Sequence, residues 1–272
     1  MNNSSPTVLI LTPAKTAARY LDGYFTGLES LSYPHHLLSL GILEGDSHDD
    51  TFARLERLMP VRCPGFSSKR LFKRDFGMTV PPGVPRYEAV YQASRRAVLA
   101  RSRNHLLFGA LRDHDWVLWL DVDVIEYPRD IVQHLIVLDL DIVHPHCVLE
   151  YGGATFDRNA WCDNGRLHME DLRGRGRVRL DSVGGTMLLI RADRHRDGLV
   201  FPAFFYGARS RWVRHPHPLR GDQVGEIETE GLGAMAKDMG IECWGLPDLE
   251  IRHSSSVDPG LALPGEGLPR RR

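Results

Sequence analysis

The sequence predicts an α/β domain in which helices flank a mostly parallel β-sheet. Short apolar runs typical of buried strands alternate along the chain with longer segments whose apolar residues recur at helical spacing. Such alternation favours a parallel sheet covered by helices. The 272 residues suffice for one large domain or two small ones. We expect one domain over residues 1–253 and a flexible tail over 254–272, which is rich in proline, glycine and arginine.

In the first half of the chain, predicted strands and helices follow one another closely. The run TVLILTP at residues 7–13 is apolar and ends at proline, as a short buried strand does. A helix follows over 14–31, with apolar residues at helical spacing from Ala17 to Leu31. The next elements, in order, are a strand in LLSLGILEGDSHDDT (37–51) with a polar turn at Asp46 and Ser47, a helix at 51–59, a turn at PPGVP (81–85) and a long helix at 87–112.

The second half begins with a strand at Trp116–Leu120, which is a continuous apolar run. Pro128 then opens a helix that we expect to run to about Leu138. The glycines of SVGGT (182–186) let the backbone either approach a ligand closely or turn sharply, and by themselves they are interpreted as an ordinary turn. No G-x-G-x-x-G motif indicates a dinucleotide fold. The remaining predicted elements are a strand at 141–146, a basic loop at 171–179, a strand within 181–193, a helix at 225–240 closed by Gly240, and extended segments at 241–247 and 249–253.

Composition excludes several classes of protein. The 35 acidic and 34 basic residues nearly cancel, so nothing in the charge balance indicates a nucleic-acid partner. No stretch approaches the roughly 20 apolar residues of a membrane helix, and the first residues lack the pattern of a signal peptide. The cysteines form no C-x-x-C pair, so they predict neither a zinc site nor a redox motif. They are Cys63, Cys147, Cys162 and Cys243. These features predict a cytoplasmic protein with reduced cysteines.

The stretch DWVLWLDVDVIEYP at residues 115–128 carries the strongest functional signal. Its apolar run ends in Asp121 and Asp123, and side chains two residues apart leave a strand on the same face. Both carboxylates would therefore reach one point at the carboxyl edge of the sheet, where ligands collect in such folds. Buried like charges need compensation, which a divalent cation such as manganese or magnesium supplies. This D-x-D pattern is found in enzymes that bind nucleotide sugars; the alternative is a solvated turn.

Three further candidates are weaker when judged from the residues alone. Arg96 and Arg103 lie two helical turns apart and share a face, which is either a phosphate-binding face or a solvated basic one. Glu228 lies in EIETEG, whose carboxylates either compensate a helix dipole or take a proton from an incoming hydroxyl. His253 ends the last extended segment, and a lone histidine is more often structural than a ligand.

Several segments, taken together and in order, resemble the fungal mannan polymerase and Golgi α-mannosyltransferase family, which is built on the GT-A nucleotide-sugar fold. The resemblance runs from about residue 9 to residue 253 and is more specific than any single motif. The segments that carry it are ILTPAKTAARYLDGYF, LSYPHHLLSLGILEGDSHDDT, KRDFG, RRAVLARSRNHLL, WVLWLDVDVIEYPRDIVQHL, DSVGGTMLLIRADRHRDGLVFP and ETEGLGAMAKDMGIECWGLPDLEIRH.

The resemblance implies a GDP-mannose donor, a bound Mn²⁺ (or Mg²⁺) and retention of the anomeric configuration. It also implies roles for residues of this sequence. The implied metal ligands are Asp121, Asp123 and His253; the implied donor-binding residues are Asp46, Arg96, Arg103, Asn104 and Asp121; the implied catalytic residues are Asp181, beside the sugar, and Glu228, on the acceptor side.

The predicted function is therefore a metal-dependent retaining glycosyltransferase that moves a hexose, mannose by resemblance, to an acceptor hydroxyl on a glycan, lipid, peptide or small molecule. The alternatives are a UDP-sugar donor, a nucleotidyltransferase or nucleotide-sugar hydrolase that uses the same metal, and an inactive partner subunit of a glycosyltransferase complex. A homo- or hetero-oligomer is compatible with each. Members of the family usually carry an N-terminal membrane anchor, so a Golgi lumenal location is expected instead if this sequence belongs to a longer anchored protein.

Overall fold

The computed structural model describes residues 5–78, 89–213 and 224–255. In this part of the chain a nine-stranded sheet forms the centre, and a two-stranded ribbon lies beside it. The strands are β1 (Val8–Ala14), β2 (Leu38–Glu44), β3 (Ser68–Lys73), β4 (Trp116–Leu120), β5 (Val124–Glu126), β6 (Ile142–Val148), β7 (Trp161–Cys162), β8 (Leu167–His168), β9 (Val178–Leu180), β10 (Met187–Arg191) and β11 (Cys243–His253).

The strand order of the main sheet is β3-β2-β1-β4-β10-β6-β11-β5, with β9 paired to β11. Strands β1, β2, β3, β4, β6 and β11 run in the same direction, whereas β5, β9 and β10 run antiparallel to their neighbours. This arrangement confirms the predicted α/β class with a mostly parallel sheet. The carboxyl ends of the parallel strands therefore share one edge of the sheet.

Helices cover both faces of this sheet. They are α1 (Leu21–Glu29), α2 (Thr51–Val61), α3 (Ala89–Ala110), α4 (Ile131–Ile136), α5 (Ala192–Arg196) and α6 (Glu228–Asp238). One apolar layer joins the sheet to α1, α2 and α4, and the other joins it to α3 and α6. No helix in the described ranges is both long and apolar enough to cross a membrane.

Strand β4 shows why its sequence is apolar at every position. Trp116, Leu118 and Leu120 belong to the first layer, whereas Val117 and Trp119 belong to the second. Each of the five side chains is at most 3% exposed. A strand buried on both faces loses the alternation of apolar and polar residues that marks a half-exposed strand. This central position holds the carboxyl end of β4, and the aspartates that follow it, on a rigid base.

Several elements differ from the sequence predictions. Strand β3 was not predicted, because it is an edge strand with charged, partly exposed side chains. The short strands β5, β7, β8 and β9 were also missed. The predicted helix over 14–31 begins as a 3₁₀ turn at Ala18–Tyr20 before α1. The helix expected from Pro128 to about Leu138 forms only over Ile131–Ile136.

The two extended segments expected near residue 250 form one strand, β11. Its register with β6 shifts between Leu246 and Glu250, which accommodates Pro247, a residue without a backbone N–H to donate. The PPGVP turn and the tail from residue 256 lie outside the described residues, so the flexibility expected of the tail stays a prediction. The single-domain organisation likewise remains a proposal.

Candidate active site

The two aspartates of the D-x-D motif lie at the carboxyl edge of the sheet. The backbone N–H of Asp121, the first residue after β4, donates to the carbonyl of Thr186 at 2.9 Å. The carbonyl of Asp123 accepts from the N–H of Ser254 at 2.9 Å. These bonds attach the motif to the segment before β10 and to the end of β11. Its backbone is therefore fixed from two sides.

Asp123 and His253 face each other across this edge. Nε2 of His253 lies 3.0 Å from Oδ1 of Asp123. Nδ1 lies 2.7 Å from the carbonyl oxygen of Ser254, which can only accept, so Nδ1 carries the proton and donates. The ring also stacks on Phe156, with centroids 3.8 Å apart and planes at 22°. The imidazole is therefore held in one orientation with Nε2 directed at Asp123.

The charge state of both groups reflects this crowding. Burial acts to lower the pKa of His253, but the carboxylate of Asp123 outweighs it and raises that pKa above its ordinary value. The pKa of Asp121 is raised to about 7, because burial and the nearby Asp123 and Asp157 carboxylates outweigh the attraction of Arg103 and His253. Burial is the largest cause acting on each group, and the neighbouring charges decide the direction of the shift for His253. A bound divalent cation would reverse the shift of Asp121.

The donor types at this edge fit a hard divalent cation. Carboxylate oxygens and an imidazole nitrogen suit Mn²⁺, and an incoming diphosphate or water can complete its coordination. Within the described ranges, however, no three His, Cys, Asp or Glu side chains form a ready-made metal-binding group. Asp121 contacts Arg103 at 3.3 Å, whereas Asp123 contacts His253. Asp123 and His253, whose facing atoms lie 3.0 Å apart, would hold such a cation together with Asp121.

Arg96 and Arg103 share one face of α3, as their spacing predicts. Both point towards Glu228, at 4.0 Å and 3.0 Å respectively. Arg103 also donates to Asp121 and to the Gly185 carbonyl, both at 3.3 Å. Arg96 pairs with the buried Glu230. The face is therefore not a solvated one, and only Arg103 contacts a residue of the D-x-D motif.

Glu228 is the first residue of α6 and is only 3% exposed. Its φ angle is 60°, a left-handed conformation that non-glycine residues rarely adopt. Its N–H donates to the Pro202 carbonyl at 2.9 Å, and its carboxylate accepts from the Thr229 hydroxyl at 2.8 Å. Strained backbone that the surroundings hold in place is often found at functional sites. The structure thus places Glu228 beside Arg103, next to the D-x-D motif.

The other expected site residues make contacts elsewhere. The amide of Asn104 donates to the Phe201 carbonyl at 2.7 Å and accepts the N–H of the same residue at 3.0 Å. Asp181 forms an ion pair with Lys237 of α6. Asp46, after β2, accepts the N–H of Gly77 at 2.9 Å and orders the segment after β3. These contacts give Asn104, Asp181 and Asp46 structural roles, whatever they contribute to binding.

Sequence reasoning missed Phe156 and Asp157, which lie in the loop after β6. Phe156 stacks on His253, as described above. Asp157 is 8% exposed, and its Oδ2 accepts the N–H of Gly185 at 2.8 Å. The available signal was modest: Asp157 is the single acidic residue in GGATFDRNAW, between two aromatic residues. Nothing in that spacing indicates which distant segment it contacts.

Comparison with known proteins adds the family. A family model described as Anp1 matches residues 1–171 and 162–205. The chain belongs to the Anp1 family. Among its relatives are the mannan polymerase II complex anp1 subunit of Schizosaccharomyces pombe and the mannan polymerase complex subunit mnn9 of the same yeast. Each is 29% identical over 90% of this Anp1-family chain, which covers 63% of the first protein and 79% of the second. The chain therefore spans less than two thirds of the first relative.

Solved structures confirm the fold class. The mannosyltransferase PcManGT from Pyrobaculum calidifontis, in complex with GDP-Man and Mn²⁺, superimposes with a TM-score of 0.55 at 15% identity, over 93% of this chain and 58% of that one. GalNAc-T7 with UDP, GalNAc and Mn²⁺ gives a TM-score of 0.52 at 12% identity, over 93% and 45%. At such identities the likeness shows the fold alone. The Anp1-family chain has the GT-A fold of nucleotide-sugar glycosyltransferases.

Proposed function

We propose that this Anp1-family chain is a metal-dependent retaining glycosyltransferase that transfers mannose from GDP-mannose to an acceptor hydroxyl. The observation that carries the proposal is the meeting of Asp121, Asp123, His253 and Arg103 at the carboxyl edge of a GT-A sheet. The names of the relatives and the ligands of PcManGT support mannose and GDP over other donors. Nothing in the charge balance supports a nucleic-acid substrate.

Each residue has a chemical role in this proposal. Asp121, Asp123 and His253 would hold the cation, Mn²⁺ or Mg²⁺, which would supply positive charge to offset that of the donor diphosphate. Arg103 places a positive charge beside Asp121, and a positive charge near the departing phosphate would stabilise the negative charge that develops on it. The proposal keeps donor-binding roles for Asp46, Arg96 and Asn104. Each of these residues would act indirectly, by holding a backbone segment in place.

Glu228 and Asp181 are the proposed catalytic carboxylates. Glu228 faces Arg103, so it would accept a proton from the acceptor hydroxyl only if that guanidinium shifts towards the donor phosphates. Asp181 would act from the segment beside the sugar, and it must leave Lys237 to do so. Retention is open to same-face attack or to a covalent intermediate on a carboxylate.

A second candidate is favoured by the names of the relatives, which are subunits of mannan polymerase complexes. In this alternative the chain binds the donor but transfers sugar only with a partner subunit, or supports a partner without catalysis of its own. A hetero-oligomer and a Golgi location would accompany it, whereas a chain that acts alone on a different acceptor fits the cytoplasm. A UDP-sugar donor is the other alternative.

A thermal-unfolding panel tests the donor and the metal together. A ligand at 100 times its Kd stabilises the folded state by about 2.7 kcal/mol. GDP-mannose with Mn²⁺ should raise the Tm, and GDP-mannose with EDTA should not. An Asp123→Ala control should lose the metal-dependent part. Stabilisation by a UDP-sugar and none by GDP-mannose would overturn the donor assignment. Donor binding without transfer of radiolabelled mannose to mannose-containing acceptors would favour the partner-subunit alternative.

A further inference from the structure

Asp157 connects the loop after β6 to the segment that leads into β10. Its Oδ2 accepts the N–H of Gly185 at 2.8 Å, the N–H of Thr186 at 3.1 Å and the Thr186 hydroxyl at 3.1 Å. These bonds span the sequence between residues 157 and 186 and are buried. A charged acceptor makes stronger hydrogen bonds than a neutral one. The backbone of Gly185 and Thr186 is therefore held by one carboxylate.

The same two residues hold the candidate active site from their other side. The carbonyl of Gly185 accepts from Nη1 and Nη2 of Arg103, at 3.3 Å and 3.4 Å. The carbonyl of Thr186 accepts the N–H of Asp121 at 2.9 Å. Each of these two residues thus links Asp157 to the D-x-D motif: Gly185 through Arg103, and Thr186 directly through the backbone N–H of Asp121. Two parallel connections converge on Asp121.

The glycines of SVGGT make this close approach possible. A Cβ added at Gly184 would overlap Oδ2 of Asp157 and Nε2 of His144, and one at Gly185 would overlap Nη2 of Arg103. Only glycine lets the backbone pass between these groups. The glycines of SVGGT therefore let the backbone pack closely against Asp157 and Arg103, which the interpretation as an ordinary turn alone did not anticipate.

The carboxylate of Asp157 stays ionised in this position. Burial acts to raise its pKa, but the nearby His144 ring and the amides of Thr186 and Gly185 outweigh it, so that the pKa lies well below its usual range. Nε2 of His144 lies 3.7 Å from Oδ2, beyond the reach of a hydrogen bond, so the Gly185 and Thr186 donors supply the hydrogen bonds that Oδ2 accepts. The backbone N–H groups of Gly185 and Thr186 therefore fix the orientation of the Asp157 carboxylate.

We propose that Asp157 is a positioning residue that fixes Asp121 and Arg103 through the backbone N–H and carbonyl groups of Gly185 and Thr186. Its effect on catalysis rests on the proposed function, whereas the mechanical link to Asp121 does not. The neighbouring Phe156 reinforces the assignment, because it stacks on His253. Consecutive residues of one loop therefore support both sides of the D-x-D edge, although neither is proposed to touch the substrate.

The first test measures the link without any ligand. In the Asp157→Asn variant the amide acceptor is neutral and holds the segment less firmly. NMR-detected hydrogen exchange of the Asp121 N–H should then rise roughly tenfold or more, while that of Leu71 in β3, at the far edge of the sheet, stays unchanged. Asp115→Asn is the matched control, since Asp115 also accepts from the N–H and hydroxyl of one threonine, at the opposite end of β4. Unchanged exchange at Asp121 in the folded Asp157→Asn variant would overturn the proposal.

The second test asks whether the link matters for binding. Affinity for Mn²⁺ with GDP, by calorimetry, should fall about tenfold in Asp157→Asn and stay unchanged in Asp115→Asn. Faster Asp121 exchange with unaltered affinity would overturn the positioning role. A parent protein that binds neither Mn²⁺ nor GDP would refute the proposed function, while the exchange experiment would still decide the link.

If Asp157→Asn does not fold, Thr186→Val takes its place. Valine keeps the backbone N–H and removes the hydroxyl donor to Asp157, so a smaller rise in Asp121 exchange is expected. No rise in that variant, with its fold intact, would count against the link.

Discussion

Nε2 of His253 lies 3.0 Å from Oδ1 of Asp123, although the two residues are far apart in the sequence. They meet because β5 and β11 pair antiparallel, with His253 opposite Val124, the residue after Asp123. The contact joins an anion to a nitrogen that can bind either a proton or a metal. The chemistry of this edge therefore depends on which cation lies between them.

Removal of either partner should weaken metal binding. In His253→Ala, affinity for Mn²⁺ at fixed GDP-mannose should fall about tenfold, because one of the nitrogen and oxygen donors is lost. Asp123→Ala should bind Mn²⁺ still more weakly, since it also removes a negative charge. Calorimetric titration with Mn²⁺ measures both. His134→Ala, which changes an exposed histidine on α4, should bind as the parent does. Parent-like affinity in His253→Ala would show that another residue or water is the third ligand.

Loss of the aromatic ring under His253 should have a smaller effect in the same direction. Phe156 is 40% exposed, so Phe156→Leu removes the stacking contact without emptying a core position. Aromatic pairs contribute about 0.5–1.5 kcal/mol, which corresponds to a loss of roughly two- to tenfold in Mn²⁺ affinity. Tyr151→Leu, at a side chain that is 52% exposed, is the control. Equal affinities in the two variants would contradict a role for the ring in orienting His253.

Arg96 should matter for stability more than its predicted phosphate-binding role suggests. It pairs with Glu230, which is 1% exposed, and donates to the Ile227 carbonyl at 2.7 Å. Removal of one partner of a buried ion pair costs about 3–5 kcal/mol, so Arg96→Ala should lower the free energy of unfolding by about that amount in urea denaturation.

The double variant Arg96→Ala/Glu230→Gln should recover part of this loss, because no buried charge is then left without a counter-charge. Arg54→Ala breaks an ion pair whose Asp22 side chain is 67% exposed, and it should cost less than about 1 kcal/mol. If Arg96→Ala lowers the free energy of unfolding by a similarly small amount, the buried Glu230 carboxylate does not need Arg96 as its counter-charge.

His195 should make the protein less stable as the pH falls. Burial lowers its pKa to about 4, and the ring is held by the Leu199 carbonyl at 2.7 Å and the Trp119 indole at 3.4 Å. In the unfolded chain the His195 imidazole binds a proton near pH 6.5, whereas in the folded protein it does so only near pH 4. This contribution is therefore fully present above pH 6.5 and is lost as the pH falls towards 4.

The expected loss from His195 alone is about 2–3 kcal/mol between pH 7 and pH 4.5. Glutamine keeps a donor and an acceptor but does not titrate. Between pH 7 and pH 4.5 the unfolding free energy of His195→Gln should therefore fall about 2–3 kcal/mol less than that of the parent. Urea denaturation at both pH values measures the difference. Parallel pH profiles for the parent and the variant would show that His195 is not responsible.

The sequence predicted best those elements whose pattern is set locally. Strand β4 was located correctly because burial on both faces leaves a continuous apolar run. Strand β3 was missed because an edge strand keeps polar side chains and is stabilised by its neighbour β2. The place of β10 between β4 and β6 could not be predicted either, because strand order depends on pairings between distant segments.

The site divides in the same way. Asp121 and Asp123 follow from their position after a buried strand, and His253 from the resemblance to a family. Arg103 was predicted, but its contact with Glu228 depends on the packing of α3 against α6. Asp157 was not predicted, because its importance depends on Gly185 and Thr186, which are distant in the sequence.

The position of β11 has a consequence for how the molecule is made. It is the last described strand in the chain, yet it lies inside the sheet, between β6 and β5. During synthesis, the backbone groups of β6 on that side have no strand to pair with until residues 243–253 leave the ribosome. An open strand edge of this kind is prone to pair with other chains. The pairing of β11 therefore completes the sheet and brings His253 to the D-x-D edge at the same time, late in folding. A chain that stops before residue 243 would lack the histidine and would also expose the unpaired edge of β6, which can pair with other chains.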